Sequence, residues 1–301
     1  MAKIKKKRTF RLDVFAIISL LIIGIYCFSL LFMLGWGILS SFKHQMDFIN
    51  NIFGLPQSTS VNSNFGWRFD NYLTAFEIFK VSTMSKTYYL EELFLNSFIY
   101  SVSQSFFHVG TCLMTGYACA KYRFRLNKLI YTTAIIVMLI PIVGNLPSEM
   151  QFAKFFFGGV GDINLLELCI MKCQYTGVYF LVFYSTYKSI SWTYAEAAQL
   201  DGAGHFSIFW KIMLPLGKST ISAVFILLFI QYWNDYYTPM IFWPQRPTIA
   251  YALYWFQRGN RASSKPILMS VSFLATLPVL IVFIIFRDKI MGNLTMGGLK
   301  G

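Results

Sequence analysis

Residues 14–42 read VFAIISLLIIGIYCFSLLFMLGWGILSSF, a run of 29 residues without Asp, Glu, Lys or Arg. An α-helix needs about 20 apolar residues to cross a bilayer, so this run predicts a transmembrane span. The run is too long for a secretory signal and lacks a small-residue cleavage site, which predicts an uncleaved first span. Six basic residues precede it: Lys3, Lys5, Lys6, Lys7, Arg8 and Arg11.

The composition agrees with a membrane protein. Hydrophobic residues make up 56% of the chain and charged residues only 13%, against about 25% charged in soluble domains. The net charge of +13 comes from basic residues in short segments beside apolar runs, so it does not indicate nucleic-acid binding. Neither a metal-site spacing nor a disulfide framework is evident. The cysteines, which lie in apolar stretches, are Cys27, Cys112, Cys119, Cys169 and Cys173.

Further apolar runs bring the predicted number of spans to six and predict an all-α integral membrane protein. Glu167 and Lys172 interrupt the fourth span, and we expect them to snorkel or to pair with a partner subunit. Cys112, Gly116 and Ala120 form a small-residue stripe on the second span, which predicts close approach of another helix. The predicted spans are 14–42, 93–120, 129–143, 165–187, 219–233 and 266–286.

The distribution of positive charge predicts the orientation. Segments on the side of the N-terminus contain 16 Lys and Arg residues and the opposite loops contain 9, so both termini are expected in the cytoplasm. We predict a basic cytoplasmic N-terminus at 1–12 and a single transmembrane domain over 13–301. Its non-membrane parts are an outer loop at about 43–92, a cytoplasmic loop at about 188–218 and a cytoplasmic tail at 287–301. The tail is glycine-rich from Gly292 onwards, so we expect it not to be helical.

The cytoplasmic loop contains the spacing E-A-A, three residues, G, nine residues, I-x-L-P. The positions are Glu196, Ala197, Ala198, Gly202, Ile212, Leu214 and Pro215. This cassette resembles the EAA loop of the permease subunits of ATP-driven (ABC) importers. The tripeptides at 201–203, 214–216 and 233–235 and the tail at 296–301 are similar to the carbohydrate-uptake permeases of the maltose-permease type, over about residues 90–301.

Local physics predicts a compact shape for this loop. Thr193 and Glu196 have the spacing of a capping box at a helix start. Gly202 is expected to end that helix with a left-handed turn. A second short helix would then place Phe206 and Phe209 on one stripe with Met213 and stop at Pro215.

The resemblance implies that this loop docks on a separate ATPase subunit, while pure capping is the alternative for Glu196. It also implies a second, homologous permease subunit, two ATPase subunits and an extracytoplasmic sugar-binding protein, in the lipid of a bacterial cytoplasmic membrane. No cofactor is expected on this chain, because Gly217-Lys218-Ser219 lacks the first glycine of a P-loop, so ATP and Mg would belong to the ATPase. The implied coupling residues are Glu196, Ala197, Ala198, Asp201, Gly202, Ala203, Phe206, Ile212, Leu214 and Pro215.

A second polar segment lies at the end of the fifth span. Gln231, Trp233, Asn234 and Asp235 precede an aromatic run, and aromatic rings beside amides and carboxylates suit a sugar, so these residues are a predicted substrate path. The alternative is a helix-end turn with an interfacial aromatic belt.

The sequence therefore predicts a permease subunit of a carbohydrate importer, with an oligosaccharide as the substrate. An ion- or proton-coupled secondary transporter is the alternative. Such carriers often have two related halves with paired broken helices, and no such internal symmetry is found in this sequence. A membrane enzyme is disfavoured because the H-E-x-x-H and G-x-S-x-G motifs are absent.

Overall fold

A computed structural model describes residues 14–57, 66–140, 144–258 and 264–296, with side chains to residue 287. The helices are α1 (Val14–Ser41), α2 (Gln45–Asn50), α3 (Asp70–Ile78), α4 (Leu90–Lys121), α5 (Asn127–Leu139), α6 (Leu146–Phe157), α7 (Leu165–Met171), α8 (Val178–Ser189), α9 (Thr193–Leu200), α10 (His205–Ile208), α11 (Leu214–Leu216), α12 (Lys218–Trp233), α13 (Tyr237–Phe242), α14 (Ile249–Arg258) and α15 (Lys265–Met296). A π-helical segment, Phe209–Met213, joins α10 to α11. Strands β1 (Val81–Ser82) and β2 (Thr87–Tyr88) pair antiparallel, with Val81 opposite Tyr88.

The backbone divides into two compact units. The first comprises the described parts of Met1–Thr74 and Ser263–Phe273. Within it, the buried side chain of Asn71 donates to the carbonyls of Ser41 at 2.7 Å and Lys43 at 2.9 Å. These bonds satisfy the carbonyl of the last residue of α1 and one just beyond it, where backbone carbonyls lack helical partners. The long apolar side chains of α1 are largely exposed, as expected of a helix surrounded by lipid or by a partner.

The second unit comprises the described parts of Ala75–Ala262 and Leu274–Gly301. Helix α4 is its centre and packs against both α8 and α12. At Gly116, α4 and α8 are so close that a Cβ added to this glycine would lie 2.9 Å from Cβ of Phe183. Cys112 is fully buried in the same core. The predicted small-residue stripe is therefore a helix-packing surface.

By length and apolar composition, the described part of the chain offers Val14–Ser41 and Lys265–Arg287 as membrane spans. A third is available if the pair His205–Leu216 and Lys218–Trp233, which meet at 73°, forms one bent span. Helix α4 has 32 residues, enough for a bilayer, but many of its buried side chains are polar. The number of six spans stays a prediction.

The fourth predicted span is wrong as a continuous helix, because α7 ends at Met171 and α8 begins at Val178. Glu167 accepts from the backbone N–H of Asn164 at 2.8 Å and so begins α7. Lys172, just after α7, forms an ion pair with Glu149 at 2.6 Å. For Lys172 the expected snorkelling or pairing with a partner subunit is thus wrong, because its ionic partner is Glu149 of the same chain. Glu167 is half-buried and makes a local backbone contact, so the expectation for this residue stays a prediction.

The expectation that the tail from Gly292 is not helical is wrong up to Met296, where α15 ends. A helix already formed through the preceding apolar span can continue through a glycine at a cost of about 1 kcal/mol. The remainder of the tail, 297–301, lies outside the described residues.

Candidate functional site

Three residues, 190–192, connect α8 to α9. The last residue of α4 contacts this connection. Lys121 Nζ, at the end of α4, donates to the carbonyl of Ile190 and lies 5.8 Å from the ring centroid of Trp192. The predicted capping box is wrong, because Trp192 is the N-cap residue and Thr193 is already helical. The Thr193 hydroxyl instead lies 2.6 Å from Ser191 Oγ.

The end of α9 has the predicted left-handed glycine. Gly202 has φ of +82°, and nothing lies within 4 Å of where its Cβ would be. The N–H of Ala203 donates to the carbonyl of Ala198 at 2.9 Å, and Gly202 N–H donates to Gln199 at 3.0 Å. These bonds form a Schellman motif, which satisfies carbonyls at the end of the helix and reverses the chain.

After the Gly202 turn, α10, the π-helical segment and α11 form the second arm of the loop. Leu214 N–H donates to the carbonyl of Phe209, five residues back. Pro215 has no N–H and cannot donate to the carbonyl four residues back, so the helical hydrogen-bond pattern shifts locally to a π-type bond. The helical chain nevertheless continues through Pro215 to Leu216, and the bend of 73° follows at Gly217, where a Cβ would lie 2.6 Å from Oη of Tyr187. The helix therefore ends at Leu216, one residue beyond the expected stop at Pro215.

The two arms have an inner and an outer face. On the inner face, Ala195, Ile208 and Met213 are fully buried, and the ring centroid of Phe209 lies 4.9 Å from that of Tyr117 in α4. The inner face thus packs into the core that also contains α4, α8 and α12. The predicted stripe of Phe206, Phe209 and Met213 is wrong, because Phe206 points away from this core and is 76% exposed.

The outer face presents two large apolar side chains beside the exposed polar residues Asp201 and His205. Leu200 is 90% exposed and Phe206 is 76% exposed, and they stand on opposite sides of Gly202. We call these two residues with the turn between them the turn face. Of the predicted coupling residues, the structure exposes Glu196, Ala197, Asp201, Gly202, Phe206 and Pro215 and half-buries Ala198, Ala203, Ile212 and Leu214. Leu200 is absent from the motif, and its only signal is a large apolar residue in a loop predicted to be cytoplasmic.

The residues of the predicted substrate path have different surroundings. Trp233 is buried, and its Nε1 donates to the carbonyl of Ala275 at 3.0 Å. Asp235 accepts at Oδ1 from the N–H groups of Tyr237 and Thr238, at 3.0 and 3.1 Å, which begins α13. Its Oδ2 accepts from Tyr100 Oη at 2.9 Å. Gln231 and Asn234 are exposed.

A polar surface pocket lies beside the β1–β2 turn. Ser85 Oγ is 3.4 Å from Gln245 Oε1, and Lys86 Nζ donates to Glu92, which raises the pKa of Lys86. The described residues contain no cluster of His, Cys, Asp and Glu that could hold a metal ion. The pocket is lined by Met84, Ser85, Tyr88, Asp162, Gln245 and Arg246.

Long apolar helices beside a buried helical core, with an exposed two-armed loop, are the architecture of a membrane-embedded protein. The chain belongs to the family described as "Binding-protein-dependent transport system inner membrane component", whose profile matches residues 113–294. Membership confirms the predicted resemblance to ABC importer permeases and makes the chain a membrane permease component. That family is not one of enzymes.

Two curated relatives cover most of the chain. The diacetylchitobiose uptake system permease protein NgcG of Streptomyces coelicolor is 26% identical to this chain, over 87% of this chain and 82% of the length of NgcG. The maltodextrin transport system permease protein MalD of Streptococcus pneumoniae is 24% identical over 99% of this chain and 98% of its own. A solved structure of a bacterial ABC transporter involved in the import of the acidic polysaccharide alginate matches with a TM-score of 0.63 and 18% identity. The match covers 91% of this chain and 96% of the matched chain. This structural similarity confirms the largely helical permease fold.

Proposed function

We propose that this chain is one of two permease subunits of an ABC importer that takes up a carbohydrate, specifically an oligosaccharide. An extracytoplasmic binding protein delivers the sugar. The relatives named for diacetylchitobiose and maltodextrin transport and a third named for arabinooligosaccharides, AraQ of Bacillus subtilis, support this substrate class.

ATP hydrolysis is assigned to two separate ATPase subunits that bind ATP and Mg and dock on the turn face. The observation that supports this most is the exposure of Leu200 and Phe206 while Ala195 and Ile208, on the same two arms, are fully buried. Exposed apolar groups beside a polar turn are typical of a surface that another protein covers. Glu196 and Ala197 are exposed on the first arm and extend the docking surface along α9.

The inner face of the loop then provides the mechanical connection. Closure of the ATPase pair displaces the turn face, and Phe209 and Met213 transmit the displacement to the core around α4 and α8. The turn at Gly202 fixes the angle between the arms, so both arms move with the partner.

For topology, we propose six spans with both termini in the cytoplasm of a bacterial cell. The support is the excess of 16 over 9 basic residues. The fourth span would consist of α7 and α8 with a break between them. Non-helical backbone at that depth is tolerated only if protein or a water-filled path surrounds it.

The test is reconstitution of the complete complex in proteoliposomes. The chain is co-expressed with candidate ATPase, second-permease and binding-protein subunits from the same genome, and uptake of labelled maltotriose, diacetylchitobiose and arabinotriose is measured. We expect uptake of at least one of them that needs internal ATP and the binding protein. Uptake that does not depend on ATP and is lost when the proton gradient is dissipated would instead identify a secondary transporter.

A further inference from the structure

The middle of α4 has a polar face that the coupling site does not use. Ser101, Gln104, Ser105 and His108 are 0%, 1%, 0% and 6% exposed, respectively. Ser101, Gln104 and His108 are spaced by three and then four residues, so their side chains lie on one side of the helix. The rest of the core around α4 is largely apolar, which makes this face chemically distinct.

Three polar atoms on this face lack a hydrogen bond within the part of the chain that the structure describes. They are Ser101 Oγ, Gln104 Nε2 and His108 Nε2. A polar group that is buried without a partner has lost its hydration with nothing in exchange, and so destabilises this conformation. Ser105, on the same helix and equally buried, differs because its Oγ donates to the carbonyl of Ser101 at 2.6 Å. The unpaired groups are therefore not a general property of polar residues in α4.

Two non-helical connections between helices touch the two ends of this face. At one end, Thr111 Oγ1 and Cys112 Sγ donate to the carbonyl of Gln174, which lies between α7 and α8. At the other end, Tyr100 Oη donates to Asp235, which lies between α12 and α13. Residues 100 and 111 of a helix are about 16 Å apart along its axis. Broken helices inside a membrane protein are tolerated where they are enclosed by protein or line a path for polar solutes.

Aromatic rings surround the unpaired groups. His108 Nδ1 lies 2.8 Å from Tyr232 Oη, and the His108 ring meets the ring of Tyr179 edge-on at 5.8 Å. Tyr100 stacks on Trp243 with centroids 6.1 Å apart. Hydroxyl, amide and imidazole groups between aromatic rings match a sugar, whose hydroxyls need hydrogen-bond partners and whose ring faces are apolar.

We propose that Ser101, Gln104 and His108 form the part of the translocation path that hydrogen-bonds the hydroxyls of the carbohydrate. The face is closed in the present conformation, and separation of the elements at the two helix breaks opens it to the sugar. The site replaces the segment 231–235 as the main sugar contact, and it rests on the proposed function. Sugar hydroxyls then satisfy groups that the closed state leaves unpaired, which favours the open, loaded state.

The experiment uses the complete reconstituted complex and the labelled sugar that the wild-type complex carries. Ser101→Ala and Gln104→Leu remove unpaired groups, whereas Ser105→Ala removes a hydroxyl that is already paired within α4. At saturating binding protein, we expect uptake to fall about tenfold in Gln104→Leu and several-fold in Ser101→Ala, as for lost hydrogen bonds to a bound polar ligand. Ser105→Ala should stay close to wild type. Recovery of the complex and ATP hydrolysis without sugar should be unchanged in all three.

The outcomes separate this inference from the proposed function. If the wild-type complex carries no sugar, the proposed function fails. Wild-type sugar uptake that persists unchanged in Ser101→Ala and Gln104→Leu overturns the α4 site alone. Equal losses in Ser101→Ala and Ser105→Ala also overturn it, because they would indicate general damage to helix packing. If Gln104→Leu does not assemble, the comparison of the two serine variants decides.

Discussion

The turn face and the segment 231–235 are both marked by sequence motifs, but their side chains do opposite things. At the turn face, Leu200 and Phe206 point away from the core and are 90% and 76% exposed. In the segment, Trp233 and Asp235 direct their polar atoms to groups of the same chain, at Ala275 and Tyr100. The turn face thus has apolar side chains that are free to contact a partner. In the segment 231–235, Trp233 and Asp235 already make their hydrogen bonds within the chain.

This difference teaches how to weigh a motif. Trp, Asn and Asp suggest a ligand because they can hydrogen-bond, but a buried polar group must find a partner whether or not a ligand exists. Large exposed apolar groups satisfy nothing within the chain, and lipid or another protein is what covers a patch of them. The predictions below test whether the turn face acts through a partner and the segment through stability.

The largest effect is expected for Gly202→Val. A β-branched residue at φ of +82° is strained by about 1–3 kcal/mol or forces the turn to change, so the arms lose their angle. We expect the complex to assemble but sugar uptake to be abolished. The matched control is Gly204→Val, because Gly204 has φ of −74° and also has nothing within 4 Å of its Cβ position. Equal uptake by the two variants would show that the turn is not required.

A smaller but still large loss is expected for Leu200→Asp. A charge replaces an apolar contact at the proposed ATPase interface, where removing a central side chain costs about 2 kcal/mol or more. Co-purification with the ATPase should weaken, and uptake should fall about thirtyfold, as a change of about 2 kcal/mol would produce. Leu126→Asp is the control, since Leu126 is 57% exposed in another predicted cytoplasmic loop. Normal ATPase recovery with Leu200→Asp would break the comparison.

Asp235→Ala should reduce stability rather than sugar choice. It removes the acceptor for Tyr100 Oη and for two backbone N–H groups at the start of α13, worth about 1–3 kcal/mol together. Thermal unfolding of the purified complex should shift to lower temperature, while the relative uptake of different sugars per assembled complex stays the same. Asp235→Asn, which keeps one carbonyl acceptor, should be milder. A changed sugar preference at unchanged stability would return this residue to the substrate path.

The smallest effect is expected for Thr193→Ala. The Thr193 hydroxyl contacts Ser191 at an exposed position and makes no cap to α9, so the change should stay within about 0.5 kcal/mol. Uptake at matched expression should equal wild type. A defect as severe as that of Gly202→Val would mean that the start of α9, and not its end, sets the shape of the loop.

The sequence was sufficient where one local rule decides the outcome. An uncharged run gives α1, small residues at 112 and 116 give the contact with α8, and a glycine after an alanine-rich helix gives the positive φ at 202. In each case no distant residue competes with the local preference.

Prediction failed where a distant or adjacent group takes over. Lys172, at the break after α7, pairs with Glu149, 23 residues earlier, and no periodicity signals that pair. Ser191, next to the predicted cap, engages the Thr193 hydroxyl. The exposure of Leu200 was hidden because the motif describes spacing and not the direction in which a side chain points.

The contact at Gly116 has a consequence for stiffness. Because the Cβ of Phe183 would meet any side chain there at 2.9 Å, α4 and α8 touch almost backbone to backbone, with no layer of side chains to repack between them. Under the proposed docking mechanism, we expect such a pair to resist sliding and to move as one rigid unit. Helix α9 follows α8 after only three residues, so a displacement of the loop by the ATPase should tilt α4 directly instead of being absorbed by rotamer changes.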